Sequence, residues 1–141
     1  MEHFMAAYHT DVGIKKKTNQ DSLLLKSASD GTEEVLLAVL CDGMGGMEKG
    51  ELASAAVIRA FSDWFMDYCA KAGAGTTFSG IKSVWYEILR ELNQRLINYG
   101  ASSHIQLGTT ATAIFLVQRH YLISAGWYYV FFLFYFIGIN L

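Results

Sequence analysis

The part of this 141-residue sequence that could do chemistry is a set of oxygen-bearing side chains beside glycines. Asp42 closes an apolar stretch, residues 33–41, and Gly43, Gly45 and Gly46 follow it. A carboxylate so placed projects from a rigid strand end into open space, and Gly43 is free to turn its carbonyl toward the same point. Carboxylate, backbone carbonyl and water form a ligand set for Mg²⁺ or Mn²⁺ rather than for zinc. Gln20 and Asp21 begin the preceding apolar run, where a hairpin would bring them across from Asp42 as a small acidic cluster. An ordinary Asp-Gly turn with Asp21 on the surface accounts for the same residues, since such turns are common. Spacing alone leaves both readings open.

Other chemistries find little support. A nucleotide cradle fails at Glu48, where G-x-G-x-x-G requires glycine, and no Gly-Lys-Ser/Thr follows. His3, His9, His104 and His120 lack ligand spacing, and no nucleophilic triad is suggested. Cys41 and Cys69 are read as reduced, partly buried small residues, because they have neither disulfide-framework nor C-x-x-C spacing. With 11 basic and 13 acidic side chains the net charge is −2, and Lys15-Lys16-Lys17 is too short a run to argue for nucleic acid. The first residues show no basic region leading into an apolar one, so no signal peptide is expected and the cytoplasm is the default compartment.

The elements that must position these residues follow from periodicity. Residues 10–20 are polar and read as a strand end entering a loop. Residues 21–26 and 33–41 are apolar runs of strand length around Asp30-Gly31, a strong hairpin signal. Residues 44–46 read as a flexible loop. Leu52, Ala53, Ala56, Val57, Ala60, Phe61, Trp64, Phe65 and Tyr68 recur at three- and four-residue steps, one face of a helix that Gly73-Ala74-Gly75 breaks. Ile81, Trp85, Ile88, Leu89, Leu92 and Leu96 mark a second helix with Gly100 as its stop. Residues 111–117 are strand-like, and Gln118-Arg119-His120 turns the chain back into 121–124. Strand pairs on either side of two helices predict an α+β layered domain rather than a doubly wound sheet.

Three stretches resemble motifs of the PPM (PP2C-like) metal-dependent protein serine/threonine phosphatases, in the bacterial form. Thr10-Asp11, Gly13, the lysines at 15–17 and Asn19-Gln20-Asp21 are similar to the first motif. Cys41-Asp42-Gly43-Met44-Gly45-Gly46 with Gly50-Glu51-Leu52-Ala53-Ser54 resembles the second, and Leu107-Gly108-Thr109-Thr110-Ala111 the third. The resemblance covers residues 1–126, about half of a family catalytic domain. It implies a partial α-β-β-α layered sandwich, with antiparallel hairpins packed on two long helices. It also implies that Asp42 bridges two Mn²⁺ or Mg²⁺ ions, with the Gly43 carbonyl on one of them and Gln20 acting weakly through water. Asp21 then orients water from behind, and an activated water attacks phosphorus in line. Gly45, Gly46, Gly108 and Thr109 are loop or structural positions in this scheme.

Several positions depart from the family pattern. Lys16 stands where a phosphate-binding Arg is usual; it supplies charge without the bidentate fork. Gln20 replaces a common Glu, and Met44 replaces the His of eukaryotic members. After Gly126 the family continues with Asp, where this chain has Trp127, and the later metal-binding Asp residues have no counterpart. Weak or absent turnover is therefore expected. The expected substrates are phosphoserine- and phosphothreonine-containing proteins, including those of a cognate kinase. Residues 127–141 are expected to be a divergent apolar tail outside the family fold, either accidental or a membrane anchor, the anchor being less favoured. The alternative to a phosphatase is a non-catalytic remnant or binding module, membrane-associated through that tail.

Overall fold

The computed structural model describes residues 4–11, 18–44, 49–71, 76–128 and 132–139. One antiparallel sheet carries two helices on one face, giving one helical and one sheet layer of the expected α+β sandwich. β1 (Ser22–Ser29) and β2 (Glu34–Cys41) form the predicted hairpin, paired from Ser22↔Cys41 to Ser29↔Glu34. The turn closes by an Asp30 N–H to Glu33 carbonyl bond of 3.2 Å, and Gly31 takes φ +91°, the left-handed conformation that glycine tolerates. β3 (Gly43–Met44), β4 (Gly108–Val117), β5 (His120–Tyr128) and β6 (Phe132–Ile139) complete the sheet, in the order β1-β2-β4-β5-β6 with β3 beside β4.

α1 (Gly50–Ala70) and α2 (Phe78–Ser103) cover the face that carries Val35, Leu37, Val39, Ala113, Phe115 and Leu122. Trp85 of α2 stands edge-on to Phe61 and Trp64 of α1, at 5.0 and 5.2 Å between centroids. Trp64 and Tyr68 in turn meet Phe115 of β4 at 5.3 and 5.0 Å. These edge-to-face contacts lock both helices to the sheet's centre, adding to the area that the rings bury.

Several expectations are corrected. Leu52 is exposed, because Ala53, Ser54, Val57 and Phe61 set the inward face of α1. Gly100 does not stop α2, which runs on to Ser103 and ends at His104 in the left-handed region. Gly100 is instead a point of close approach: a Cβ there would lie 2.8 Å from the Ile105 carbonyl oxygen. Met44 pairs with Gly108 rather than belonging to a loop, and His120 opens β5 rather than lying in the turn. Residues 10, 11 and 18–20 carry no strand, and Gly73-Ala74-Gly75 lies outside the described residues. β5 continues through residue 126 to Tyr128, and β6 pairs along it from Trp127↔Phe132 to His120↔Ile139. Among the described residues no helix is long and apolar enough to cross a membrane.

Candidate metal centre at the end of the sheet

β2 and β3 hold one register against β4 across the residue between them. Leu40 faces Thr112 and Gly43 faces Thr109, which sets Asp42 opposite Thr110. The β1–β2 register carried one step past Ser22↔Cys41 sets Asp21 opposite Asp42 on the other side. Alternation then directs the exposed Asp42 side chain away from the helices, since the neighbouring Cys41 points into the core.

Around Asp42 the ladder is altered. The Thr110 N–H donates to the Asp42 carbonyl at 2.9 Å, as in a sheet. The Asp42 N–H, however, donates to the Thr110 hydroxyl oxygen at 3.0 Å. The Thr109 hydroxyl lies 3.1 Å from the Asp42 carbonyl and 2.8 Å from the Thr110 carbonyl, and Thr109 itself is fully buried. Two threonines thus fix the backbone from which the carboxylate projects.

The second support is the start of α1. The Gln20 carbonyl accepts from the Gly43 N–H at 3.2 Å and from the Ser54 hydroxyl at 2.8 Å. Ser54 is fully buried and shares a 2.9 Å bond with the Ser22 hydroxyl. Gly43 and Gly50 touch so closely that a Cβ on Gly43 would meet the Gly50 carbonyl oxygen at 2.6 Å. The first motif is also tied at its ends: the Asn19 side-chain amide donates to the Thr10 hydroxyl at 2.9 Å, and the Asp21 N–H donates to Asn19 Oδ1 at 3.0 Å.

Asp21, Asp42, Gln20 and Gly43 therefore come together at one sheet end, with Gly108 and Thr109 on the adjoining strand. Lys16, Gly45 and Gly46 lie outside the described residues. The oxygen donors suit Mn²⁺ or Mg²⁺ in kind, yet no group of three or more His, Cys, Asp or Glu residues able to hold a metal occurs among the described residues. The fit is to one wall of a metal site. Cys41, next to Asp42, is no nucleophile at neutral pH: burial pushes its thiol up to about 12 despite an opposing hydrogen bond from Thr109.

Thr110, Gly50 and Ser54 lie within the motifs but have no role among the expected site residues. For Gly50 and Ser54 a signal existed, since four-residue spacing puts them on one helix face. For Thr110, nothing in the sequence distinguishes a hydroxyl that replaces a ladder acceptor from any other strand threonine.

No family model matches the chain. A putative protein phosphatase 2C-type of Streptococcus pyogenes serotype M6 is 31% identical over 112 residues, 77% of this chain and 42% of its own length. Serine/threonine phosphatase stp of Listeria innocua is 26% identical over 122 residues, 84% of this chain and 45% of its own. The S. agalactiae serine/threonine phosphatase structure matches with a TM-score of 0.65 at 28% identity, covering 83% of this chain and 46% of that one. The catalytic domain of PstP, solved in complex with two manganese ions, matches with a TM-score of 0.60 at 25% identity, covering 83% and 45%. This chain thus spans less than half the length of these relatives. Over about four-fifths of its length the chain is similar to PP2C-type bacterial serine/threonine phosphatases, which it matches as a partial domain.

Proposed function

We propose that this chain keeps one wall of a metal-dependent phosphomonoester-hydrolysing site, and that with this half-domain alone turnover of phosphoproteins is weak or absent. The observation that carries the reading is the convergence of Asp42 and Asp21 at one sheet end, with the Asp42 backbone held by Thr109 and Thr110. On this reading Asp42 and the Gly43 carbonyl are the metal-facing groups, Gln20 contributes through water, and Asp21 orients water from behind. Bound there, Mn²⁺ or Mg²⁺ would supply charge that acidifies water and neutralises phosphate oxygens. Lys16 would attract the phosphate as a point charge, and Gly45 and Gly46 are the proposed loop positions.

The proposed substrates of the complete activity are cytoplasmic phosphoserine and phosphothreonine proteins, including those of a cognate kinase. Residues 1–126 are the proposed family-like portion and residues 127–141 a proposed divergent tail.

Calorimetric titration with Mn²⁺ and hydrolysis of a small aryl phosphate test the proposal together. Weak Mn²⁺ binding is expected in the wild type and in Cys69→Ala, lost in Asp42→Ala, with hydrolysis near background throughout. Equal Mn²⁺ binding by the wild type and Asp42→Ala would remove the site assignment. Robust hydrolysis that Asp42→Ala abolishes would show that the half-site suffices or that a second chain completes it.

A further inference from the structure

The peptide unit between Gln20 and Asp21 has both of its polar groups engaged, from opposite sides. Its carbonyl accepts the Gly43 N–H at 3.2 Å and the Ser54 hydroxyl at 2.8 Å. Its N–H, which belongs to Asp21, donates to Asn19 Oδ1 at 3.0 Å. A carbonyl oxygen has two lone pairs, so the Gln20 oxygen is filled and has none left for an ion. The Asn19 side-chain amide donates in turn to the Thr10 hydroxyl at 2.9 Å, which fixes the way that side chain is turned.

Proton accounting orders the hydroxyls behind that carbonyl. Ser54 is fully buried and has one hydroxyl proton. The Gln20 and Glu51 carbonyls, 2.8 and 3.2 Å from its oxygen, can only accept, so the proton is committed to them. Ser22, whose hydroxyl oxygen lies 2.9 Å away, therefore donates to Ser54. The chain of bonds runs from Ser22 through Ser54 to Gln20, each polarising the next. Were the Gln20 carbonyl to move away, buried Ser54 would keep only the longer contact to Glu51 in its own helix.

This clamped peptide joins two sides of the candidate centre. Asp21 follows it directly, and Gly43 is bound to it through its N–H. Granted the roles proposed above for Asp42, Gly43 and Asp21, on which the assignment rests, we infer that Ser54 and Asn19 are positioning residues of the metal wall. Ser54 holds the carbonyl, and Asn19 the N–H, of the one peptide that sets Asp21 against Gly43. They do for Asp21 what Thr109 and Thr110 do for Asp42.

Mn²⁺ titration of the full chain, followed by the electron paramagnetic resonance of the free ion, tests this alongside urea denaturation of each variant. Ser54→Ala and Asn19→Ala should each weaken Mn²⁺ binding about ten-fold, the low end of the range for losing an outer partner of a metal ligand. Ser22→Ala leaves the Ser54–Gln20 bond in place and removes only its polarisation, so it should bind within about two-fold of the wild type. Asn19 acts through Asp21, so Asn19→Ala should add nothing in an Asp21→Ala background, a coupling that lost stability alone would not produce. Wild-type binding by Ser54→Ala and Asn19→Ala, with binding still lost in Asp42→Ala, would overturn the inference and leave the proposed site standing. An equal loss from Ser22→Ala, or additive losses from Asn19→Ala and Asp21→Ala, would overturn it too, by showing a general loosening of the sheet end. A wild type that binds no Mn²⁺, or binds it no better than Asp42→Ala, would remove the proposed site and the inference with it. Should Ser54→Ala not fold, the cycle of Asn19→Ala with Asp21→Ala decides, since Asn19 lies outside the core, in the stretch before β1.

Discussion

Asp42 and Thr110 exchange two hydrogen bonds, but only one of them is a sheet bond. Thr110 gives its backbone N–H to the Asp42 carbonyl at 2.9 Å, and Asp42 returns its N–H to the Thr110 hydroxyl at 3.0 Å rather than to the backbone carbonyl. That substitution lies at the interruption between β2 and β3, where the strand leaves its ladder and resumes it at Gly43 without change of register. The candidate metal carboxylate therefore stands at a defined defect in an otherwise regular pairing.

Thr110→Val keeps the β-branched shape and the backbone donor while removing the acceptor of the Asp42 N–H. Because Asp42 is exposed, water can replace part of the lost bond, so destabilisation of about 0.5–1 kcal/mol is expected. The larger effect should fall on Mn²⁺ affinity, since the backbone carrying the carboxylate is released. Urea denaturation and Mn²⁺ titration of the same variant separate the two. An unchanged affinity would show that the hydroxyl does not position Asp42.

Gly50→Ala sets two principles against each other. Near a helix start alanine should gain up to about 1 kcal/mol over glycine from propensity alone. Here its Cβ would meet backbone, 2.8 Å from Gly43 C and 2.9 Å from Met44 N, and backbone cannot rotate aside. Overpacking of this kind costs typically about 1–3 kcal/mol, so net destabilisation is expected. A urea midpoint above that of the wild type would mean that α1 can withdraw from β3 at little cost.

The hairpin, both helices and their inner faces were legible in the sequence because each depends on a local repeat or turn. Asp30-Gly31 specifies its turn, and Ile81, Trp85, Leu89, Leu92 and Leu96 lie on one helical stripe. The hairpin register that runs Asp21 towards Asp42 was legible as well. What was not legible is long-range: Thr110 is 68 residues from Asp42, and no local pattern announces that its hydroxyl will replace a ladder acceptor. The end of α2 was missed for a related reason. Gly100 satisfies a tertiary clearance against Ile105, and a single sequence does not distinguish that use of glycine from a helix stop.

Asp30 supplies a pH dependence with a definite sign. The Thr32 hydroxyl, followed by the backbone N–H groups of Glu33 and Thr32, holds its carboxyl at about 2, below the ordinary 3.8. A carboxylate whose pKa is depressed by folding adds stability above its unfolded pKa and loses it as pH falls through the folded one. Asp30→Asn retains an oxygen acceptor for the turn but no titration. Its stability difference from the wild type should be constant above about pH 5 and change between 3.8 and about 2. Denaturation midpoints measured across that window check it; parallel curves for the two proteins would contradict the assignment.

The two thiols report on opposite ends of the fold. Cys41 is fully buried beside Asp42, and burial pushes its pKa up to about 12; Cys69, near the end of α1, is half-buried and raised by burial as well. A thiol-specific disulfide reagent at mildly alkaline pH should therefore label Cys69 first and reach Cys41 only through opening of the sheet end. In Cys69→Ala the remaining reaction isolates Cys41, and its rate measures that opening. Anything that binds the folded state alone deepens it relative to the open one, so Mn²⁺ held at Asp42 should slow Cys41 labelling in Cys69→Ala. The same addition should leave Cys69→Ala/Asp42→Ala unaffected. If Mn²⁺ slows both proteins equally, the protection arises elsewhere than at Asp42. If it slows neither, the sheet end does not retain the ion at the concentration used.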